Sequence, residues 1–443
     1  MKYKEIYFLV FSVIFLLLAN FLNNFVRTTN YVDPFQDIDS KGYIYNAEMF
    51  YKHGTFLKGQ NAPYFSLGYP AFMGLVYKYF KPKNNSVVWV QIFLALFTCF
   101  FIFYSASFIF GHNIGIVAFI LSTINIGFIT FSNFILAETL LTFLLSLFLL
   151  LFILFLRKKK LFYVFFSGLV LGISIFVKPA AIYFILPILL LIAYLSNGMR
   201  IKAIILFALS FYLPVFSYMY YNKVNFGYFS IAPLGNENLY LYLYPKVLAK
   251  KNNTNMQTEQ KKLSKMLEGS KLNPKSWVKI KKQFKKDFKK KPRLFISIWL
   301  KNVLKTFLGL YTTNLKVLTN KYLDGGDLSF FKIKGTFFKR VKKYINSGTK
   351  YFTIRLIGSL EAFWTILRYF LVLLGFIFLL IKREFKYFFF LLFYIFYFSM
   401  ITGHDGCARF RMMFEPALII LASQGLFIIY YRLRYKSCPL GEL

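Results

Sequence analysis

The hydrophobic positions of the chain gather into ten runs, at about 6–25, 86–110, 114–132, 135–156, 161–177, 180–195, 202–221, 361–381, 387–402 and 412–431. Runs of this length can cross the hydrocarbon core of a bilayer, about 30 Å thick. They predict an all-α polytopic membrane protein with about ten transmembrane helices. Two further apolar stretches fit less well. Counting Pro63 to Phe80 as a span would throw Arg157 to Lys160 onto the opposite side from the other basic links. Leu294 to Leu310 puts Phe295, Ile298, Trp299, Val303, Phe307 and Leu310 on one face and Ser297, Lys301, Asn302, Lys305 and Thr306 on another, which predicts an interfacial helix. Trp277, Ile280, Phe284 and Phe288 repeat the device among lysines, with Pro292 separating the two stretches. Otherwise the lysine-rich tract 250–291 reads as a solvated helix face.

The polar intervals set the orientation. With the N-terminus inside, Arg157-Lys158-Lys159-Lys160, Arg200/Lys202, Lys382-Arg383/Lys386 and Arg432/Arg434/Lys436 all fall in the cytoplasm, as the excess of Lys and Arg in cytoplasmic loops requires. The first run follows Lys2 and Lys4 like a signal peptide, but no small-residue cleavage pattern follows it, so it is expected to be a retained helix. Two large external elements remain, a loop at about 27–85 and an insertion at about 222–360. The chain therefore divides into a membrane module at 1–221, a mixed extracytoplasmic insertion at 222–360 and C-terminal membrane helices at 361–443. Within the first loop, Tyr43, Ala47, Phe50 and Tyr51 predict one face of a surface helix that starts near Asp39 or Ser40 and stops at Gly54. A second short helix is expected near Pro70.

Composition agrees with this picture. The chain has 443 residues, of which 58% are hydrophobic and 22% aromatic, and a formal charge of +38. In a membrane protein such charge marks cytoplasmic loops and attracts anionic headgroups or phosphate-bearing ligands. No nucleic-acid-binding motif accompanies it, so nucleic acid is not expected as a partner. Cys99, Cys407 and Cys438 lack metal or redox spacing, and His53, His112 and His404 are scattered.

Against that positive background, Asp33, Asp37 and Asp39 cluster just after the first span, at the external membrane surface. Asp33 before Pro34 suits a turn, and Asp39 suits a helix N-cap. Glu138 stands at the external mouth of a span, where a carboxylate near hydrocarbon points to function, although a solvated helix start would also place it there. Lys178-Pro179 ends the fifth span on the same side and could snorkel to headgroups. The last external turn carries His404, Asp405, Arg409 and Arg411, with Glu415-Pro416 opening the final helix. Two alternating arginines suit a phosphate or pyrophosphate, since each guanidinium can bind two oxygens. Acid beside fixed cations at a lipid surface suggests group transfer from a lipid phosphate: a carboxylate takes a proton from an attacking hydroxyl while cations stabilise the departing phosphate.

Four sets of stretches carry a family resemblance: DIDSKGYIYNAEMFYKHGTF with SLGYPAFMGLVY; LAETLLTFLL with GISIFVKPAAIYFILP; NFGYFSIAPLGNENLY; and ARFRMMFEPALIILA. Together they resemble the GT-C superfamily of multi-pass glycosyltransferases that use polyprenyl-phosphate sugars, of the protein O-mannosyltransferase and aminoarabinose transferase type. The resemblance implies that the first-loop aspartate is the catalytic base, Asp39 by position with Asp37 as the fallback. It implies that Lys178, where relatives more often have Arg, binds the donor phosphate with Arg409 and Arg411, and His404 is added to that group. From the same stretches Glu138, Tyr43, Tyr69 and Asn238 are candidate substrate contacts. The expected donor is a polyprenyl-phosphate sugar, and the acceptor is an undefined glycan, lipid or protein. Some relatives need a divalent ion, but no metal requirement is predicted here. A flippase for lipid-linked saccharides and a glycan polymerase or ligase are the alternatives; against the flippase, the polar candidates collect at one face rather than at the bilayer midplane.

Overall fold

The computed structural model describes residues 2–29, 38–56, 66–195, 198–231, 234–267, 274–320, 330 and 333–434. Among these residues every regular element is a helix, so the insertion, expected to be mixed, is helical as far as it is described. Seven helices are long and apolar enough to cross a membrane: Ile6–Thr28, Asn84–Phe110, Glu138–Lys158, Arg200–Phe226, Phe352–Ile381, Phe385–His404 and Glu415–Arg434. The other three expected spans are helices of a different kind. The run at 114–132 is a pair, His112–Thr123 and Ile126–Ser132, bent by 49°, and the next two runs are the shorter helices Leu161–Val177 and Pro179–Tyr194. The bend falls at Asn125, whose Oδ1 accepts a hydrogen bond from Phe128 N at 3.2 Å and caps the second half.

Packing follows stripes of apolar residues. The first helix buries Phe15, Ala19, Leu22 and Val26, a spacing of four, three and four, and leaves Leu9, Leu17 and Phe21 exposed on its outer side. In a lipid environment that outer side meets acyl chains.

The bundle has two chemically distinct ends. At one, Arg157 Nη1 donates to Phe108 O at 3.0 Å, and Lys159 lies close enough to Lys386 for their charges to repel. These residues belong to the basic links predicted to be cytoplasmic. Glu138 opens the same helix at its other end, some 30 Å away by the rise of a helix of 21 residues.

The first loop is held to that second end as two surface helices, Ile38–His53 and Gly68–Tyr79. Gly54, at φ +66°, ends the first of them, and its N–H donates to Phe50 O at 2.8 Å. Tyr43 and Ala47 are buried as expected, whereas Tyr51 is exposed on the outer side and meets Tyr77 edge-on. Gly68 sits against the backbone of Phe176, where a Cβ would come within 2.6 Å of the Phe176 carbonyl. Only glycine allows this approach, which docks the loop onto the last turn before Lys178.

The helix Pro292–Leu308 corrects the amphipathic reading. Asn302 and Thr306 were assigned to its water-facing side, yet both are buried. Asn302 Nδ2 donates to Gly403 O at 2.9 Å, and Thr306 Oγ1 donates to Thr402 Oγ1 at 2.9 Å. The face left exposed is Ile296, Leu300, Leu304 and Leu308, a strict four-residue stripe. Asn302 and Thr306 therefore turn inward because they satisfy the turn at 401–406, while Ser297 and Lys301 of the same polar set stay exposed. Gly406 in that turn has φ +75°, and a Cβ there would fall 2.2 Å from Asn302 O.

Candidate active site

Four charged side chains from four separate parts of the chain converge at the end of the bundle opposite the basic links. Asp39 lies in the first turn of the helix Ile38–His53. The neighbouring Ser40 Oγ donates to Ile135 O at 2.9 Å and so ties this turn to the segment leading into Glu138. Glu138 begins its helix, where the positive end of the helix dipole favours a carboxylate. Lys178 stands between Val177 and Pro179 with extended backbone angles, φ −149° and ψ 133°. A residue before proline is driven out of the helical region, so the helix ends there and the lysine leaves its axis. Arg409 sits on the short helix Ala408–Arg411, just after the left-handed turn at Gly406.

Arg409 is the bridge. Its Nη1 donates to Asp39 Oδ2 at 2.7 Å and its Nε to Glu138 Oε1 at 2.5 Å. Lys178 Nζ donates to the same Glu138 oxygen, and its ammonium also lies over the Phe410 ring, 5.7 Å from the centroid. The side chains are 36% exposed for Asp39, 18% for Lys178, 15% for Arg409 and 3% for Glu138. Asp39 therefore forms the solvent side of the cluster and Glu138 its floor, so Glu138 is not the solvated helix start that its position allowed. Glu138 Oε2 is buried without a hydrogen-bond partner among the described residues. A small cavity beneath the cluster is lined by Glu138, Thr142, Lys178, Arg409 and Phe410, among others. Two carboxylates balance two cations here, so the arriving ligand that gains most is one whose anion can take over hydrogen bonds from a carboxylate.

The remaining candidates divide. Tyr43, one helical turn beyond Asp39, packs edge-on against Tyr69 at 4.9 Å. Burial pushes its phenol pKa up, the Glu138 charge adding and Arg409 opposing, so it keeps its proton at any physiological pH. Tyr69 is fully buried and its hydroxyl donates to Gln91 Oε1 at 2.6 Å; Gln91 Nε2 in turn donates to Phe134 O at 2.7 Å and Ser132 O at 3.1 Å. Tyr69 thus supports the segment before Glu138 from behind. His404 pairs its Nδ1 with Ile401 O at 2.9 Å, and its ring lies beside Phe410. Asn238 opens the π-helical segment Asn238–Leu243, which packs against the turn at 401–404. Asp33 and Asp37 lie outside the described residues.

Arg411 does not join this cluster. Its side chain is 0% exposed and faces the other way, where Nε donates to Glu415 Oε2 at 2.9 Å and Nη1 donates to the carbonyls of Phe307 at 2.9 Å and Gly309 at 2.6 Å. The guanidinium lies over the Tyr311 ring at 4.2 Å, and Glu361 is 3.7 Å away. Residues two apart share a face only in extended chain; the helical turn at 408–411 sends them to opposite sides. The two guanidiniums therefore face different groups of partners, and the structure does not bring them together as the expectation of two arginines on one phosphate requires.

Sequence reasoning missed several neighbours. Arg368 Nη1 donates to Glu415 Oε1 at 2.6 Å inside the bundle, and Asn125 Nδ2 reaches the same oxygen at 2.9 Å. Arg368 and Glu361 are isolated charges on a predicted span, a signal that could have been used. Lys246 Nζ donates to Asp405 Oδ1 at 2.5 Å and to the carbonyls of His404 and Asp405. Burial acts to raise the Asp405 carboxyl, but the Lys246 charge prevails and holds it below the usual range. Tyr242, on the same insertion segment, lies within electrostatic reach of Asp39, Asp405 and Arg409. Neither Lys246 nor Tyr242 carried a local sequence signal. Among the described residues no three His, Cys, Asp or Glu side chains gather as a metal site would need, and Arg409 stands between Asp39 and Glu138.

Known proteins share part of this sequence and this fold. Residues 65–221 match the model of the dolichyl-phosphate-mannose-protein mannosyltransferase family, a stretch that includes Tyr69, Glu138 and Lys178. The fold is similar to that of the oligosaccharyltransferase of Archaeoglobus fulgidus tethered to an acceptor peptide, with a TM-score of 0.54 at 12% identity, covering 99% of this chain and 52% of that one. It is likewise similar to the same organism's oligosaccharyltransferase AglB in complex with an inhibitory peptide and a dolichol-phosphate, with a TM-score of 0.52 at 13% identity, covering 98% and 52%. At such identities the likeness is one of fold, and the chain spans about half the length of these structures. A comparison with curated protein sequences finds no match. The family match agrees with the resemblance read from the sequence over residues 65–221, and the likeness of fold agrees with the multi-pass helical architecture it implied.

Proposed function

We propose that the chain is an inverting glycosyltransferase that moves a sugar from a polyprenyl-phosphate donor to an acceptor hydroxyl or amine on the extracytoplasmic side of the membrane. The observation that carries this reading is the bridge made by Arg409 between Asp39 and Glu138, with Lys178 on the same Glu138 oxygen. Its location opposite the basic links supports an external site, because those links belong inside.

The chemistry follows from one exchange of partners. A donor phosphate laid against Arg409 and Lys178 takes guanidinium hydrogens from Asp39 and frees its carboxylate. Asp39 then accepts the proton of the attacking hydroxyl. The hydroxyl oxygen bonds to the anomeric carbon as the carbon–oxygen bond to phosphate breaks, and the electron pair leaves with the phosphate. The leaving group departs as an anion held by two cations, so no second carboxylic acid is required to protonate it, and Glu138 serves to keep those cations in place. Displacement from the face opposite the phosphate inverts the anomeric centre. Purified protein incubated with labelled polyprenyl-phosphate sugars and a mixed acceptor pool is expected to give transfer of single sugars, lost in Asp39→Asn. Lipid movement without transfer, or Asp39→Asn working at the wild-type rate, would remove this assignment.

A further inference from the structure

The insertion holds a second unusual feature. Between positions 246 and 293 the sequence has sixteen lysines and one arginine against three carboxylates, Glu259, Glu268 and Asp287. On the proposed orientation this charge lies outside, where topology does not explain it, since long loops are translocated largely regardless of charge. Glu259 and Asp287 are already paired, with Lys262 at 3.1 Å and Lys251 at 2.9 Å.

The helix Val278–Lys290 carries the densest part. Its sequence suggests an amphipathic helix lying on lipid, but the structure closes that route. Ile280, with Trp277 just before the helix, is fully buried against Tyr240, Tyr244 and Phe295 in a small core of the insertion itself, and Phe284 and Phe288 stack on each other beside Phe295. Ile280 is taken up by protein and Phe284 is partly covered, which leaves Val278 and Phe288 as the exposed apolar residues of the helix, too few to seat it in a bilayer. On the rest of the helix, Lys282, Lys286 and Lys290 form one row and Lys281, Lys285 and Lys289 another, most of them exposed. Successive lysines within a row stand about 6 Å apart along the axis at four-residue spacing. The two rows spread over nearly half the circumference, more than a plane can touch and suited to a chain that lies along or wraps the helix. All seven cations of the helix are lysines. Lysine binds phosphate as a point charge on a flexible stem, without the planar two-point geometry that arginine brings to phosphate and carboxylate alike, so a row of lysines suits successive charges along a chain.

We propose that this lysine helix is a docking surface for a linear, phosphate-bearing polymer. Its core touches Asn238–Leu243, the segment that also packs on the turn at 401–404 and carries Tyr242 within electrostatic reach of Asp39, which ties the lysine helix to the element bordering the cluster. Resting on the transferase reading, that polymer is the acceptor.

The test uses the full chain in nanodiscs of zwitterionic lipid, with inorganic polyphosphate of defined length as the probe and a salt series. Wild type is expected to bind with an affinity that falls steeply with salt, as for any polyanion that releases counterions. A variant carrying Lys281→Gln, Lys282→Gln, Lys285→Gln, Lys286→Gln and Lys289→Gln, checked for an unchanged melting temperature, should bind about tenfold or more weakly with a shallower salt slope. Equal binding by the two proteins overturns the proposal. So does equal affinity for polyglutamate of the same length, or a loss seen only on nanodiscs of anionic lipid, which would make the partner a membrane. Asp39→Asn should bind polyphosphate as wild type does, so a failure of transfer leaves this result standing and removes only the identification of the polymer as acceptor.

Discussion

Arg409 and Arg411 stand two residues apart on one turn, and each belongs to a group of two cations and two carboxylates, yet the groups have opposite characters. The Arg411 group, with Arg368, Glu361 and Glu415, is sealed: its four side chains are between 0% and 4% exposed, and the Arg411 guanidinium also satisfies the carbonyls of Phe307 and Gly309. Nothing can enter without unpairing a buried charge. The Arg409 group is open on the Asp39 side and borders a cavity. Paired charges alone therefore do not mark a reactive site. The difference lies in whether one member can exchange its partner for a ligand without being stranded in hydrocarbon.

The contrast can be broken by mutation. The largest effect is expected from Asp39→Asn, which should lower transfer by about 10²–10⁴-fold, the usual contribution of a general base, while donor binding measured with the non-reacting lipid phosphate stays near wild type. Next comes Arg411→Met in the sealed group. Removing one partner of a buried pair costs about 3–5 kcal/mol, so its melting temperature should fall clearly, with donor affinity unchanged in the folded fraction. Arg409→Ala should do the reverse, weakening donor binding by about 1.5–3 kcal/mol, roughly 10- to 150-fold in Kd, with a much smaller change in melting. If Arg409→Ala melts early and Arg411→Met loses donor, the roles assigned to the two groups are exchanged. The smallest effect is expected from Asp405→Asn, which removes a half-exposed pair with Lys246 worth about 0–1 kcal/mol. Because the Asp405 carboxyl is held below its ordinary range in the folded protein, that contribution is present at neutral pH and fades only as pH falls through the lowered value.

Much of this was legible in the sequence, and the reasons are local. Ten apolar runs predicted ten helical elements because bilayer thickness fixes how long such a run must be, and the end of the first-loop helix was readable at Gly54 because a left-handed residue stops a helix. The charged positions of the cluster stood out because Asp39, Glu138, Lys178 and Arg409 each interrupt or border an apolar run. What could not be read was direction. The alternation of Arg409 and Arg411 suggested a shared ligand until the backbone there proved helical, and the inward turn of Asn302 and Thr306 depends on carbonyls and a hydroxyl about a hundred residues away. Tyr242 and Lys246 reach the site through tertiary packing of the insertion, which no local period encodes. Arg368 was overlooked although it carried a signal, a lone charge amid leucines and phenylalanines.

Glu138 and the basic pair Arg157 and Lys158 are the two ends of a single uninterrupted rod of 21 residues. A rod of that length roughly equals the thickness of the oil it crosses. With its cationic end anchored at one water boundary, the reacting groups are held at the other, and their depth is set by counting turns. The protein therefore carries its own depth gauge: in a markedly thicker membrane the same rod would draw Glu138 and its partners below the headgroups, away from any acceptor that arrives from water.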